Sequence, residues 1–256
     1  MNKVCVITGG ALGIGKELVK TFAKEGYKVI FIDNNKDAIN KTEKELSDKN
    51  LNVEGYFGDI SEEKVLKDFS NYVIHKYNKI NVLINNACIS RKGIISECSF
   101  EDFNYVLKVG VTAPYMLSLL LKNNFEKGGS IINISSTRAF MSQRDTESYT
   151  AAKGGITALT HGLAVSLAGK VRVNSISPGW IDTYETYGME EPKYSEGDIN
   201  QHLCKRVGTP EDIGRVALFL CDERNSFITG ENINVDGGMT KLMIYHDDLG
   251  WSYNEK

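Results

Sequence analysis

Short apolar runs rich in valine and isoleucine recur along the chain, each followed by a longer amphipathic run. The apolar runs at 3–8, 28–33, 52–60, 81–86, 129–136, 171–177 and 231–236 read as strands. The runs at 15–26, 36–50, 62–78, 100–110, 112–126, 148–169 and 210–222 read as helices. Strands such as "KVCVIT" and "KVIFID" are apolar almost throughout rather than on alternate residues. That pattern belongs to parallel strands covered by helices on both faces. The expectation is α/β, a doubly wound parallel sheet flanked by helices. Its 256 residues fit one domain, 1–256, and no linker, repeat or low-complexity tract interrupts it.

Composition narrows the function classes. Lys plus Arg is 30 and Asp plus Glu is 33, a net charge of −3, so no basic face for nucleic acid is implied. "MNKVCVITGG" runs straight into a strand without a charged leader and apolar signal core. No apolar stretch is read as approaching the roughly 20 residues of a membrane helix. The five cysteines and four histidines show no metal-ligand spacing. Reduced thiols, a cytoplasmic setting, no metal and no membrane partner are expected.

The first strand ends in "TGGALGIG" (8–15), and a helix follows. Glycines Gly9, Gly13 and Gly15 let the backbone turn tightly and approach a pyrophosphate held at the helix N-terminus. Their spacing differs from the strict G-x-G-x-x-G fingerprint. Asp33 ends the second strand, where a carboxylate accepts hydrogen bonds from both hydroxyls of a ribose. The same carboxylate repels a 2′-phosphate, favouring NAD over NADP, although Lys36 lies close enough to serve a phosphate. A Rossmann-type domain follows.

"ESYTAAKGG" (147–155) places Tyr149 and Lys153 four apart on one helix face. With this pair, several motifs together resemble the classical short-chain dehydrogenase/reductase family over residues 8–238. "TGGALGIG" resembles its cofactor loop, "GDI" (58–60) its adenine turn and "NNAC" (85–88) its "NNAG". "SIINISS" with Tyr149-x-x-x-Lys153 resembles its catalytic strand and helix, and "NSISPGWIDT" (174–183) the segment over the nicotinamide. "NVDGG" (234–238) resembles its final strand.

The resemblance implies an NAD(P)(H)-dependent oxidoreductase that moves hydride between nicotinamide and the alcohol or carbonyl group of a small molecule. It implies Tyr149 as general acid/base, Lys153 as the ribose-binding residue that tunes it, and Ser136 rather than Ser135 as the hydroxyl that holds the substrate oxygen. The physics agrees. A free phenol titrates near 10, and an ammonium at roughly 4–5 Å in an effective dielectric near 20 favours the phenolate by about 3–4 kcal/mol. Cofactor contacts are implied for Gly9, Leu12, Gly13, Ile14, Gly15, Asp33, Asp59, Ile60, Asn86, Ala87, Tyr149, Lys153, Pro178, Gly179, Ile181 and Thr183. Asn174 is implied to be structural.

Two positions depart from the family pattern. Gly110 stands where an asparagine is usual, in "LKVGVTAPY", and Cys88 replaces the glycine of "NNAG". The asparagine is thought to hold a water that links the lysine to solvent, and the space at Gly110 is expected to hold ordered water in its stead. Gly110 also supports an alternative, a catalytically weak dinucleotide sensor or scaffold. Arg91, Arg138 and Arg144 flank the substrate side, either for an anionic group or paired with acids such as Asp145 and Glu147. Residues 184–206 resemble a substrate flap. The tail 239–256 carries Leu242, Met243, Ile244, Tyr245 and Trp251, an apolar set that a neighbouring subunit is expected to cover in a homodimer or homotetramer.

Overall fold

In the computed structural model, which describes residues 3–245 and 247–248, seven apolar runs pair as strands. They are β1 (Val4–Thr8), β2 (Lys28–Asp33), β3 (Val53–Phe57), β4 (Ile80–Asn85), β5 (Phe125–Ile134), β6 (Val171–Pro178) and β7 (Asn232–Val235). Every pairing is parallel, in the order β3-β2-β1-β4-β5-β6-β7.

Alternate residues of each strand point to opposite layers. Ile7 and Phe31 pack with Leu18 and Phe22 of α1 (Gly13–Lys24) and with Ile213 and Leu220 of α8 (Pro210–Cys221). Val6, Ile32 and Val173 pack with Phe69 of α3 (Glu63–Tyr77), Leu117 of α5 (Ala113–Leu121) and Leu163 of α6 (Glu147–Ser166). Both faces are therefore core, which is why the strands read as continuous apolar runs.

Polar residues start the helices where the sequence changes character. Asn35 caps α2 (Lys36–Ser47) by accepting from the Ala38 N–H at 3.0 Å, and Ser99 caps α4 (Phe100–Leu107) by accepting from the Asp102 N–H. Thr209 and Asp212 form a reciprocal capping box at the start of α8, with Pro210 in its first turn.

Three expectations need correction. The helices expected at 100–110 and 112–126 form one continuous run, Phe100–Leu121, because the π-helical turn Lys108–Thr112 joins α4 to α5. The wider turn keeps Val106, Val109, Ala113, Leu117 and Leu121 on the buried side. At 22 residues with a mean hydropathy of 1.2, this run is long and apolar enough to cross a membrane by length and composition, contrary to the sequence reading. In this fold its buried side supplies core residues. Finally, the helix expected to run to 126 ends at Leu121, and β5 starts at Phe125 rather than at 129. The 184–206 segment contains a 3₁₀ turn, Tyr184–Tyr187, and a short helix α7 (Glu196–Asn200) closed by a Ser195/Asp198 capping box. In the tail, Met243 and Tyr245 are exposed, Leu242 and Ile244 half-buried, and Trp251 lies outside the described residues.

Candidate active site

The strand order reverses between β1 and β4, so the loops leaving their C-terminal ends diverge and leave a crevice. Thr8 and Asn85 are register partners at that edge. The Thr8 hydroxyl accepts from the backbone N–H groups of Asn86 and Ala87, both at 3.1 Å. The Asn86 amide donates to the Thr8 and Gly9 carbonyls at 3.1 and 3.0 Å, tying the glycine loop to the end of β4.

Only glycine fits at Gly15, where a Cβ would lie 1.8 Å from the Gly9 carbonyl oxygen. Gly9 has a φ of +65° and packs against Ala87. The chain thus passes the crevice without side chains in the way, and the N-terminus of α1 opens onto it. The Gly13 N–H donates to the Thr186 hydroxyl at 2.8 Å, so the start of the 184–206 segment sits over this loop. Beside it, Asp33 is held from two sides. One carboxylate oxygen accepts from the Ala11 N–H and the other from the Asn35 N–H, each at 3.0 Å. Burial, and then the nearby Asp33 charge, push the Tyr187 hydroxyl above the ordinary phenol range. At the next strand end, Asp59 accepts from the Ser61 N–H at 2.8 Å and from the Tyr105 hydroxyl at 2.9 Å.

At the far end, β5 and α6 bring three side chains together. Ser136 is buried, and its hydroxyl accepts from the Arg138 N–H at 3.1 Å. Ser135 next to it is turned to α6, bonding the Lys153 carbonyl at 3.0 Å and the Thr157 hydroxyl at 2.7 Å. Lys153 is 4% exposed. Its ammonium donates to the Ile134 carbonyl at 2.7 Å and stands 5.4 Å from the Tyr149 ring centre. Burial pulls the Lys153 ammonium down, but the Cys88 and Tyr149 groups beside it outweigh that effect and leave it above the ordinary lysine range.

One cavity of about 610 Å³ gathers all the residues singled out in the sequence as catalytic or cofactor-binding. It also includes Tyr105 and Tyr187, which sequence reasoning did not find. For Tyr187 the signal was its place four residues after Thr183, but nothing in a single sequence says that the segment folds back over the loop. Asn174 stays outside the chemistry, bonding the Ile228 carbonyl and the Glu231 N–H. No cluster of metal-ligating side chains occurs among the described residues.

The arginines separate. Arg91 pairs with Asp102 and stacks on Tyr105, 4.2 Å from its ring centre. Arg138 is held by Thr146 and Gln143, its guanidinium 5.9 Å from the Tyr149 ring. Arg144 is exposed. Pairing with Asp145 and Glu147 was one of the alternatives for these arginines. Instead these two acids accept backbone N–H groups of the 94–96 loop, Asp145 from Ile95 and Ser96 and Glu147 from Ile94. The expected room at Gly110 is also taken. A Cβ there would stand 2.9 Å from the Ala152 Cβ and 3.4 Å from the Cys88 sulfur.

Residues 9–240 match the sequence profile of the enoyl-(acyl carrier protein) reductase family. The chain is 42% identical to an uncharacterised oxidoreductase of Thermotoga maritima, over 96% of this chain and 99% of that one. It belongs to the short-chain dehydrogenase/reductase family. A second Thermotoga maritima relative, a 3-oxoacyl-[acyl-carrier-protein] reductase, is 34% identical over 93% of this chain and 98% of its own length. Among solved structures, an apo SCOR enzyme from Clostridium thermocellum is 44% identical with a TM-score of 0.91, each chain fully covered. A blue fluorescent protein from a metagenomic library, solved with NADPH, is 26% identical with a TM-score of 0.84, over 93% of this chain and 97% of that one. This short-chain dehydrogenase/reductase is thus an NAD(P)-dependent oxidoreductase.

Proposed function

We propose that the protein interconverts an alcohol and a carbonyl group on a small molecule, using NAD(H) in preference to NADP(H). The observation that carries this reading is the convergence of Ser136, Tyr149 and Lys153 on the cavity that also holds the glycine loop and Asp33. The residues fit a dinucleotide. The cradle at Gly15 admits no side chain, and Asp33 keeps lone pairs free after accepting its two backbone hydrogen bonds. When bound, the nicotinamide supplies or accepts the hydride.

The protein's own groups handle the oxygen and the proton. In the reductive direction the Ser136 hydroxyl donates to the carbonyl oxygen of the substrate and fixes it. Tyr149 gives that oxygen its hydroxyl proton, so that hydride and proton together convert the carbonyl to an alcohol. Lys153, anchored on the Ile134 carbonyl, holds a positive charge toward the phenol and stabilises the phenolate left behind. Asp33 repels a 2′-phosphate, and at roughly 5 Å this like-charge contact is worth about tenfold in affinity after screening.

The 3-oxoacyl-[acyl-carrier-protein] reductase among the relatives supports a 3-oxoacyl thioester as one substrate class to test. Side chains closing the space at Gly110 favour the second reading, a dinucleotide sensor or scaffold with weak turnover. One experiment separates the two. NADH and NADPH are titrated by protein fluorescence, and a panel of alcohols, sugars, hydroxysteroids and 3-oxoacyl thioesters is followed by absorbance of the reduced cofactor. The expected result is tighter NADH binding, turnover with at least one substrate class, and none in Tyr149→Phe at nearly unchanged cofactor affinity. Normal turnover in Tyr149→Phe overturns the mechanism. Tight binding with no turnover on any substrate establishes the sensor.

A further inference from the structure

The contacts of Arg91 lead away from a substrate anion and toward Asp59. Its guanidinium pairs with Asp102 and lies over the ring of Tyr105, 4.2 Å from the ring centre. Tyr105 stands one turn beyond Asp102 on α4, so one cation from the loop after β4 clamps both. The Tyr105 hydroxyl in turn donates to Asp59 at 2.9 Å. Tyr105 and Asp59 both line the cavity, together with Ile60. A chain of contacts thus runs from the loop after β4, through α4, to the turn after β3.

The Asp59 carboxylate is held at both oxygens. One accepts from the Ser61 N–H at 2.8 Å and the other from the Tyr105 hydroxyl. The Ser61 contact closes within the turn itself, as aspartates in turns do. The Tyr105 contact comes from a distant helix and sets the direction of the carboxylate within the cavity. A carboxylate offers about four lone-pair positions, so positions not used by Ser61 and Tyr105 remain for a donor there. Burial and then the Asp59 hydrogen bond push the Tyr105 hydroxyl above the ordinary phenol range. At neutral pH it therefore remains a donor beside the carboxylate and does not become a second anion.

We propose that Asp59 reads the 6-amino group of the adenine, and that Tyr105 is the positioning residue that aims the carboxylate, its own ring held by Arg91. The proposal deepens the dinucleotide reading given above and rests on it. The 6-amino group of adenine is a donor, which a carboxylate accepts. Hypoxanthine carries a 6-oxo group there, which a carboxylate repels, beside an N1–H donor. A carboxylate fixed in direction separates the two bases, whereas one free to turn can accept the N1–H of hypoxanthine instead. Loss of the Tyr105 hydroxyl is therefore read in base discrimination, which a merely structural role does not move.

Calorimetric titration of the protein with NADH and with reduced nicotinamide hypoxanthine dinucleotide tests this without substrate or turnover. The wild type is expected to favour NADH by about tenfold or more, the scale of a hydrogen bond to a charged group. Tyr105→Phe keeps the ring beside Arg91 and removes only the hydroxyl. It is expected to bind NADH about threefold to tenfold more weakly and the hypoxanthine dinucleotide within about twofold of the wild type, so that most of the preference is lost. Arg91→Gln leaves the hydroxyl but frees the ring. It should lower the preference in the same direction by about twofold to fivefold, the scale of an exposed cation–π contact. A preference unchanged in Tyr105→Phe, or equal weakening of both dinucleotides, overturns the positioning role, and a preference unchanged in Arg91→Gln overturns the part given to Arg91. Equal binding of both dinucleotides by the wild type overturns Asp59 as the reader of the base while the dinucleotide reading stands. Binding of neither overturns the dinucleotide reading and this proposal with it.

Discussion

Gly15 and Gly110 are both glycines in the site, for different reasons. Gly15 was legible, since a glycine-rich turn between a strand and a helix has few other uses, and the 1.8 Å approach to the Gly9 oxygen gives its cause. Gly110 was legible only as a departure. The sequence shows a missing amide but not what replaces it, because Ala152 and Cys88 reach that point from distant parts of the chain. Asp33 was likewise readable from its place at a strand end, whereas the two N–H groups that fix it were not. Gly110→Val is expected to destabilise the protein by about 1–3 kcal/mol, the usual cost of overpacking, measured by urea unfolding. Gly110→Asn should also destabilise, and Cys88→Gly in the same chain should recover part of the loss. Additive effects in that double-mutant cycle would show that the two positions do not share the space.

Among the elements, those with their own signal were read well and those held by distant contacts were not. Buried strands announce themselves by continuous apolar runs. The Tyr184–Tyr187 turn has no such pattern and is held by the bond from Gly13 to Thr186, while Tyr194 nearby packs edge-on to Trp180. The π turn was missed because periodicity over so few residues resembles a break between two helices. The capping box of α8, in contrast, lies in the four residues "TPED". Its Asp212 accepts from Arg206 at 2.6 Å and from the Thr209 N–H at 2.9 Å, and the Arg206 contact above all holds its carboxyl down to about 2. A carboxyl lowered on folding stabilises above its unfolded value of about 3.9, and that contribution is lost as pH falls through the folded value. Asp212→Asn should therefore cost about 1 kcal/mol near neutral pH, with the gap to the wild type closing between about pH 4 and 2. Melting curves at both ends of that range test this, and an equal gap at both would refute it.

For the whole molecule, the doubly wound order was legible from the alternation of elements, and the crevice follows from where that order reverses. Assembly was not, because an outward face differs from a solvated one only in what meets it. Two outward helical faces are unusually apolar or smooth for solvent. On the Phe100–Leu121 run, Phe100 is 79% exposed, Tyr115 46% and Leu119 38%. On α6, exposed Ala151, Ala158 and Gly162 lead to Val165, which is 77% exposed. A Cβ at Gly154 or Gly162 would meet nothing within 4 Å, so α6 offers a close approach to another helix that its own chain does not fill. Exposed apolar side chains gathered on a helix face are a feature of interfaces, and a second copy of this chain supplies a matching surface by two-fold symmetry. We therefore expect a homodimer or homotetramer at micromolar concentration by light scattering. Gly162→Glu places a charge on this face without touching anything in its own chain. It should shift the mass toward the monomer, while replacing a helical glycine by a better helix former leaves the fold as stable or raises it by about 0.5–1 kcal/mol. A wild-type monomer, or an oligomer unchanged by Gly162→Glu, would remove α6 from the interface.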